Sequence, residues 1–175
     1  MNTADQHGHH PSTFSADQLL QQCLVRRTRH SGPGGQHRNK VETAIEIVHE
    51  PTGIVSFAAE RRSQDANRQT AIFRLRVLLA IRFRNVSSSD VQPSALWVSR
   101  CRSQKIQCND RHPDFPAMLA EAMNAIHAKD YDVSKAAGAL GCTMSQLVRF
   151  VGGTPEAFEV VNSQRELRQL HRLKL

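Results

Sequence analysis

Between residues 41 and 50 the chain alternates, with Val41, Thr43, Ile45 and Ile47 on one side and Glu42, Ala44, Glu46 and Val48 on the other. This period of two predicts a half-buried strand. Pro51, Thr52 and Gly53 supply turn chemistry, and "IVSFAA" at residues 54–59 resumes the extended pattern, so the two runs predict a β-hairpin. Upstream, Ser15 is placed to cap a short helix that carries Leu19, Leu20 and Cys23 on one face, and an extended segment from Cys23 to Arg27 follows it. From residue 63 to about residue 84 the chain has neither Gly nor Pro. There Ile72, Leu75, Leu79 and Arg82/Phe83 recur at helical spacing among Arg68, Arg74, Arg76, Arg82 and Arg84, which predicts a long basic helix.

"NVSSSDVQPS" at residues 85–94 interrupts the helical pattern and reads as a linker, and "ALWVSRCRSQKIQCNDR" at 95–111 favours no single element. Residues 112–175 are rich in Ala and Leu, and Asp114, Asp132, Thr143 and Thr154 stand where N-caps would, so three or four short helices are expected. Within them, "DVSKAAGALGCTMSQLVRFV" sets Ala137, Gly141 and Leu147 at the offsets of a helix-turn-helix: small residue, turn glycine, buried aliphatic. Its second helix, residues 143–150, would then expose Ser145, Gln146 and Arg149. A plain helical hairpin in a small bundle fits the same pattern. No internal repeat is present.

Charge narrows the choice of partner. The 175 residues hold 23 Lys and Arg against 16 Asp and Glu, a formal net charge of +7, which favours a polyanion, either nucleic acid or an anionic membrane surface. No run of about 18 apolar residues exists and no signal-peptide pattern opens the chain, so a cytoplasmic location without membrane insertion is expected. Cys23, Cys101, Cys108 and Cys142 are scattered without a CxxC pair, which argues for reduced thiols rather than a disulfide framework or a thiolate zinc site. His7, His9 and His10 lie in a polar stretch read as part of a disordered leader over residues 1–14, with no second segment spaced to close a metal site.

The densest chemistry is "RHSGPGGQHRNK", residues 29–40, where three glycines and a glutamine are bracketed by cations. A Walker loop needs Lys and then Ser or Thr directly after the last glycine, and a dinucleotide fingerprint needs a following helix with an acid about twenty residues on. Neither occurs here. The run lies between an extended segment and a strand, so it is an exposed loop, and Gly32, Gly34 and Gly35 allow backbone N–H groups to approach a ligand closely.

"SGPGGQHRNK", then "ETA" at residues 42–44, "PTGI" at 51–54 and "RSQDANR" at 62–68, together resemble the catalytic domain of class I peptide chain release factors. The pattern is most similar to the short, codon-independent peptidyl-tRNA hydrolases that rescue stalled ribosomes. The resemblance covers residues 24–84, about a third of the chain, and four blocks in order and spacing make it specific. It implies a small antiparallel sheet with a long packing helix over residues 15–84; with the linker and unassigned segment over 85–111 and the helical unit over 112–175 read from the pattern, the expected fold class is α+β. It implies hydrolysis of the ester between nascent peptide and tRNA, with Gly34, Gly35 and Gln36 as the catalytic residues. The Gln36 backbone amide would stabilise the oxyanion and its side chain would select the nucleophile.

The same resemblance implies the ribosome's large-subunit RNA and peptidyl-tRNA as partners, no cofactor, no metal and a monomeric chain. Arg26, Arg27, Arg29, Arg38 and Lys40 are the expected phosphate contacts of the loop, and Arg61, Arg62, Arg68, Arg74 and Arg76 extend that footprint along the helix. Arg38 departs from the family, which carries a small apolar residue there. With fewer than thirty residues ahead of the loop, codon reading is not expected. The end, "SQRELRQLHRLKL", is helical in spacing and unlike the flexible basic tail of the rescue hydrolases. The competing reading is a non-catalytic RNA- or DNA-binding regulatory module that uses the basic loop and the helix-turn-helix.

Overall fold

The computed structural model describes residues 9–28, 43–85 and 91–175. Contacts divide the chain into two units, one of residues 11–79 and one of residues 1–10 with 80–175.

In the first unit α1 (Ala16–Leu20) begins with a capping box: the Ser15 hydroxyl accepts from the Gln18 amide while the Gln18 side chain accepts from the Ser15 amide. Three antiparallel strands follow, β1 (Cys23–Thr28), β2 (Ala44–His49) and β3 (Ile54–Ala58), in the order β1-β2-β3. The β2–β3 turn closes where the Gly53 amide donates to the His49 carbonyl at 2.8 Å, and Gly53 takes φ +69°, a left-handed conformation that a glycine adopts without steric cost. Ile45, Ile47, Ile54 and Ala58 face α2 (Gln64–Arg82), which answers with Ala71, Ile72, Leu75 and Leu79. Ser56 lies on this same buried face and is satisfied there, since its hydroxyl donates to the Ala71 carbonyl at 2.9 Å and so ties strand to helix. The alternation along residues 41–50 and the helical stripe thus produce the α+β sheet-and-helix unit that the pattern implies.

Two expectations meet a different outcome. The stripe does not continue through Arg82, which is exposed and paired with Glu156 at 2.8 Å, and Phe83 instead packs edge-on against the His10 ring at 5.4 Å. The leader expected over residues 1–14 is packed from His10 on, with Pro11–Thr13 forming a 3-10 turn and Phe14 joining the core of the first unit. One aromatic residue buried in a core outweighs the polar composition around it.

The second unit contains α3 (Ala95–Arg100), a short hairpin of β4 (Cys101–Arg102) and β5 (Lys105–Ile106), and α4 (Phe115–Ala128), α5 (Val133–Ala139), α6 (Met144–Gly152) and α7 (Pro155–Leu167). Residues 95–111, unassigned from their pattern, belong to this unit, and Trp97 is the one residue among them that is buried. Trp97 is fully buried, donates its indole N–H to the Leu140 carbonyl at 2.8 Å and meets the Phe150 ring at 6.0 Å. Asp132 and Thr143 cap α5 and α6 through their side chains, whereas Asp114 and Thr154 make no side-chain cap, and α4 and α7 carry Pro116 and Pro155 in their first turns instead. Asp114 is engaged elsewhere, with the Arg100 guanidinium at 2.7 Å.

The chain end folds back on α7. Asn162 is buried and brackets Leu173, accepting its amide at 2.7 Å and donating to its carbonyl at 3.4 Å, while Arg172 bonds Glu159 at 2.7 Å and Glu166 at 2.8 Å. Arg168 lies 4.5 Å over the Tyr131 ring. Three of the four terminal cations are therefore held by the chain itself, since Arg165 also donates to the His171 carbonyl at 2.9 Å.

Candidate functional site

The glycine loop joins β1 to β2, so both of its roots are set by the sheet. Thr28 and Ala44 are the last paired residues of an antiparallel ladder that runs from Cys23 opposite His49. Gly34, Gly35, Gln36, Arg29, Arg38 and Lys40 lie outside the described residues.

Asn67 secures the root at Thr43. Its side chain is fully buried, and it donates to the Thr43 carbonyl at 2.7 Å and to the Arg61 carbonyl at 2.9 Å while accepting from the Arg61 amide at 2.9 Å. Three of its four hydrogen-bonding positions are used, all on backbone. One side chain of α2 thereby fixes the chain where it leaves the glycine loop and the turn that leads into the helix. The sequence signal was available: Asn67 stands four residues before Ala71 on the stripe that continues through Leu75 and Leu79, and a polar residue on a buried stripe must find partners. The motif "RSQDANR" is explained by position. Ser63 opens the helix, its hydroxyl accepting from the Ala66 amide at 3.3 Å, Asn67 turns inward, and Arg61, Arg62 and Arg68 point outward.

The expected cations fall into two groups. Arg26, Arg27, Arg61, Arg62 and Arg68 are exposed. Arg26 and Arg27 are successive strand residues and so take opposite faces of β1, Arg26 standing 3.6 Å from Glu46 across the sheet. Arg61, Arg62 and Arg68 form no ion pair with a described residue. Arg74 and Arg76 are engaged internally. Arg74 donates to the Phe57 carbonyl at 2.8 Å and bonds Glu60 at 2.6 Å, holding that carboxyl below its usual range, and Arg76 donates to the Ser12 carbonyl at 2.8 Å.

Among the described residues, the carboxylates beside these cations, Glu46 and Glu60, are engaged by Arg26 and Arg74. Burial pushes the thiols of Cys23 and Cys142 up to about 11, away from the reactive thiolate, and raises those of Cys101 and Cys108 as well. All four cysteines are free. His49 is buried on the sheet's inner face between Thr52 at 2.8 Å and Gln22 at 3.1 Å, and burial lowers its pKa. It serves as a neutral pin between the turn and β1. No group of His, Cys, Asp or Glu among the described residues is arranged to hold a metal. What the unit offers is a rigid platform that carries a glycine loop at one sheet end, with cations on the surrounding surface.

A sheet-and-helix platform that holds a Gly-Gly-Gln loop between β1 and β2 defines the catalytic-domain class of release factors. The RF-1 domain matches residues 20–113, more than half of the chain, and the chain belongs to that family. Among relatives, peptide chain release factor 1 of Caldicellulosiruptor bescii is 44% identical over 64 residues, 37% of this chain and 18% of the relative. Peptide chain release factor 1 of Caldicellulosiruptor saccharolyticus is 42% identical over the same length and shares. The chloroplastic peptide chain release factor PrfB1 of Arabidopsis thaliana is 50% identical over 54 residues, 31% of this chain and 12% of the relative. The chain thus spans less than a fifth of the length of the curated relatives it matches. Among the described residues no helix is long and apolar enough to cross a membrane.

Proposed function

We propose that the chain hydrolyses the ester of peptidyl-tRNA on the ribosome and does so without a stop codon, in the cytoplasm. Membership of the RF-1 domain family with an intact Gly34-Gly35-Gln36 is the observation that carries this reading. Water adds to the ester carbonyl carbon, the negative charge gathers on the carbonyl oxygen, and the bond to the terminal ribose oxygen of the tRNA breaks as that oxygen takes a proton. The Gln36 backbone N–H is the donor for the developing oxyanion, a contribution of about 3–4 kcal/mol when water is excluded. Gly34 and Gly35 supply backbone geometry without a Cβ. The sheet ladder and Asn67 hold the loop's roots at Thr28 and Thr43.

Independence from the stop codon is supported by the resemblance of the four sequence blocks to rescue hydrolases and by the helical second unit that accompanies them. The exposed Arg61, Arg62 and Arg68 meet RNA phosphates beside the loop.

The test is peptide release from ribosomes that hold peptidyl-tRNA on a message without a stop codon, compared with the same complexes displaying one. Release on the first at a rate equal to the second is expected. Gln36→Ala should keep the fold and ribosome association and lose at least a hundredfold in release. Dependence on the stop codon would remove the rescue reading. The pairing of α5 and α6 around a left-handed Gly141 favours a second reading, a non-catalytic binding module, which predicts association without release by the wild-type chain.

A further inference from the structure

We infer that the β4–β5 hairpin and α6 form one RNA-docking surface, which grips the phosphate backbone of a double-stranded RNA segment. Gly141 takes φ +68° between α5 and α6, and Ala137 and Leu147 are buried, as a helix-turn-helix or a plain helical hairpin requires. The partner element of this helix pair is the β4–β5 hairpin. The Thr143 amide at the start of α6 donates to the Gln104 carbonyl at the hairpin tip at 3.3 Å, and the Ile106 amide donates to the Gln146 side chain at 3.3 Å. Gln146, expected to be exposed, is thus half-buried and spent on fixing hairpin to helix. Arg149 borders the same cavity of about 230 Å³ as Ile106, Asn109 and Asp110.

Three features set the hairpin tip apart. Arg102 and Lys105 are direct cross-strand partners, an arrangement of like charges that weakens pairing. Ser103 and Gln104 between them take φ +48° and +62°, a turn that normally calls for Asn-Gly. All four residues are exposed. The other consecutive pair at positive φ, Asp130 and Tyr131, differs because Tyr131 is buried and its ring stacks under Arg168. A strained, self-repelling and exposed tip that is nonetheless hydrogen-bonded into place marks a functional element.

Charge identifies the occupant. Elsewhere in this unit Arg82, Arg100, Lys135 and Arg172 each pair with a carboxylate. Arg84, Arg165 and Arg168 bond carbonyls, whereas among the described residues Arg102, Lys105, Arg111, Arg149 and Lys174 form no ion pair, and three of these five lie on the hairpin and α6. Cations left open on an exposed ridge fit phosphates. RNA is favoured over DNA because the cations sit chiefly on the ridge, while α6 exposes Met144, Ser145 and only Arg149 for reading base edges. A-form RNA presents phosphates and a shallow groove, and its deep groove does not admit a helix. This inference rests on the ribosomal reading above, for which a second RNA contact gives the chain its purchase.

The test measures binding of the full chain and of an Arg102→Ala, Lys105→Ala double variant to a labelled RNA duplex across a salt series, without ribosomes. Each lost phosphate contact should flatten the slope of log K against log salt by about 0.9, so the double variant should flatten it by about 1.8 and weaken binding at low salt. The variant's thermal midpoint should be equal or higher, because a like-charge pair is removed. An unchanged slope would overturn the proposal, as would equal or tighter binding to B-DNA of the same sequence. A variant of lower midpoint with an unchanged slope would assign the hairpin to folding alone. Peptide release is read separately through Gln36→Ala, so loss of either result leaves the other standing.

Discussion

At the scale of single residues, Asn67 does the most with the least surface. Replacement by Ala leaves the Thr43 and Arg61 backbone groups without their buried partner and should cost about 2–3 kcal/mol, read as a lower unfolding midpoint. Because Thr43 closes the glycine loop, the maximal rate of peptide release should also fall tenfold or more well below that midpoint, with little change in half-saturation. Release at the wild-type rate in the folded variant would confine Asn67 to stability. His10 gives a second residue-level expectation. Burial lowers its pKa from 6.5 to about 4, and its Nε2–H donates to the Phe83 carbonyl at 3.2 Å. Between those two values the unfolded chain holds the proton and the folded chain does not, so the stabilisation is complete above 6.5 and declines as pH falls toward 4. His49 shifts in the same direction. His10→Gln keeps a donor without titrating, and its unfolding midpoint should fall less over this window when followed by circular dichroism.

At the scale of elements, the turn between α5 and α6 depends on one glycine. A Cβ on Gly141 would meet nothing within 4 Å, so Gly141→Ala carries only the backbone cost of a left-handed residue, about 1–2 kcal/mol. Gly152 is the contrast, because a Cβ there would overlap the Leu175 side chain. The overlapping atom is the far end of an exposed terminal side chain, so Gly152→Ala should be met by rotation of Leu175, with hydrogen exchange unchanged at the Leu173 amide that Asn162 holds. Increased exchange over α5 and α6 in the first variant, and none at the Leu173 amide in the second, is the expected contrast. The long helix α2 shows how an element divides its labour: Ala71, Leu75 and Leu79 bind it to the sheet, Asn67 reaches the loop root, and Arg68 is left to solvent.

At the scale of the whole molecule, the place where the second unit begins decides how the chain can be divided. The expected boundary near residue 112 would sever α3 and the hairpin from the helices that cover Trp97. A fragment of residues 1–111 should expose the chain's single tryptophan, with emission shifted to the red and self-association on a sizing column. A fragment ending near residue 90 lacks that apolar surface and should stay dispersed. Comparable behaviour of the two fragments would argue that Trp97 does not organise the second unit.

The hairpin of β2 and β3, the Ser15-capped helix, the basic helix and the helix pair around Gly141 were all legible in the chain, because each rests on local periodicity, a cap or a turn residue. The family was legible for a related reason, since four short blocks keep their order and spacing whatever surrounds them. The tertiary structure alone decided where polar groups and charges go. Arg74 and Arg76 look like Arg61, Arg62 and Arg68 in one dimension, yet the first two are consumed by carbonyls and a carboxylate of their own unit. Asn67, Trp97 and Gln146 likewise acquired their partners from segments 24, 43 and 40 residues away. Periodicity reports which side of an element is apolar, a property of neighbours along the chain, whereas a buried donor must be satisfied by whatever the fold brings within 3 Å or so, and the chain alone does not carry that distance.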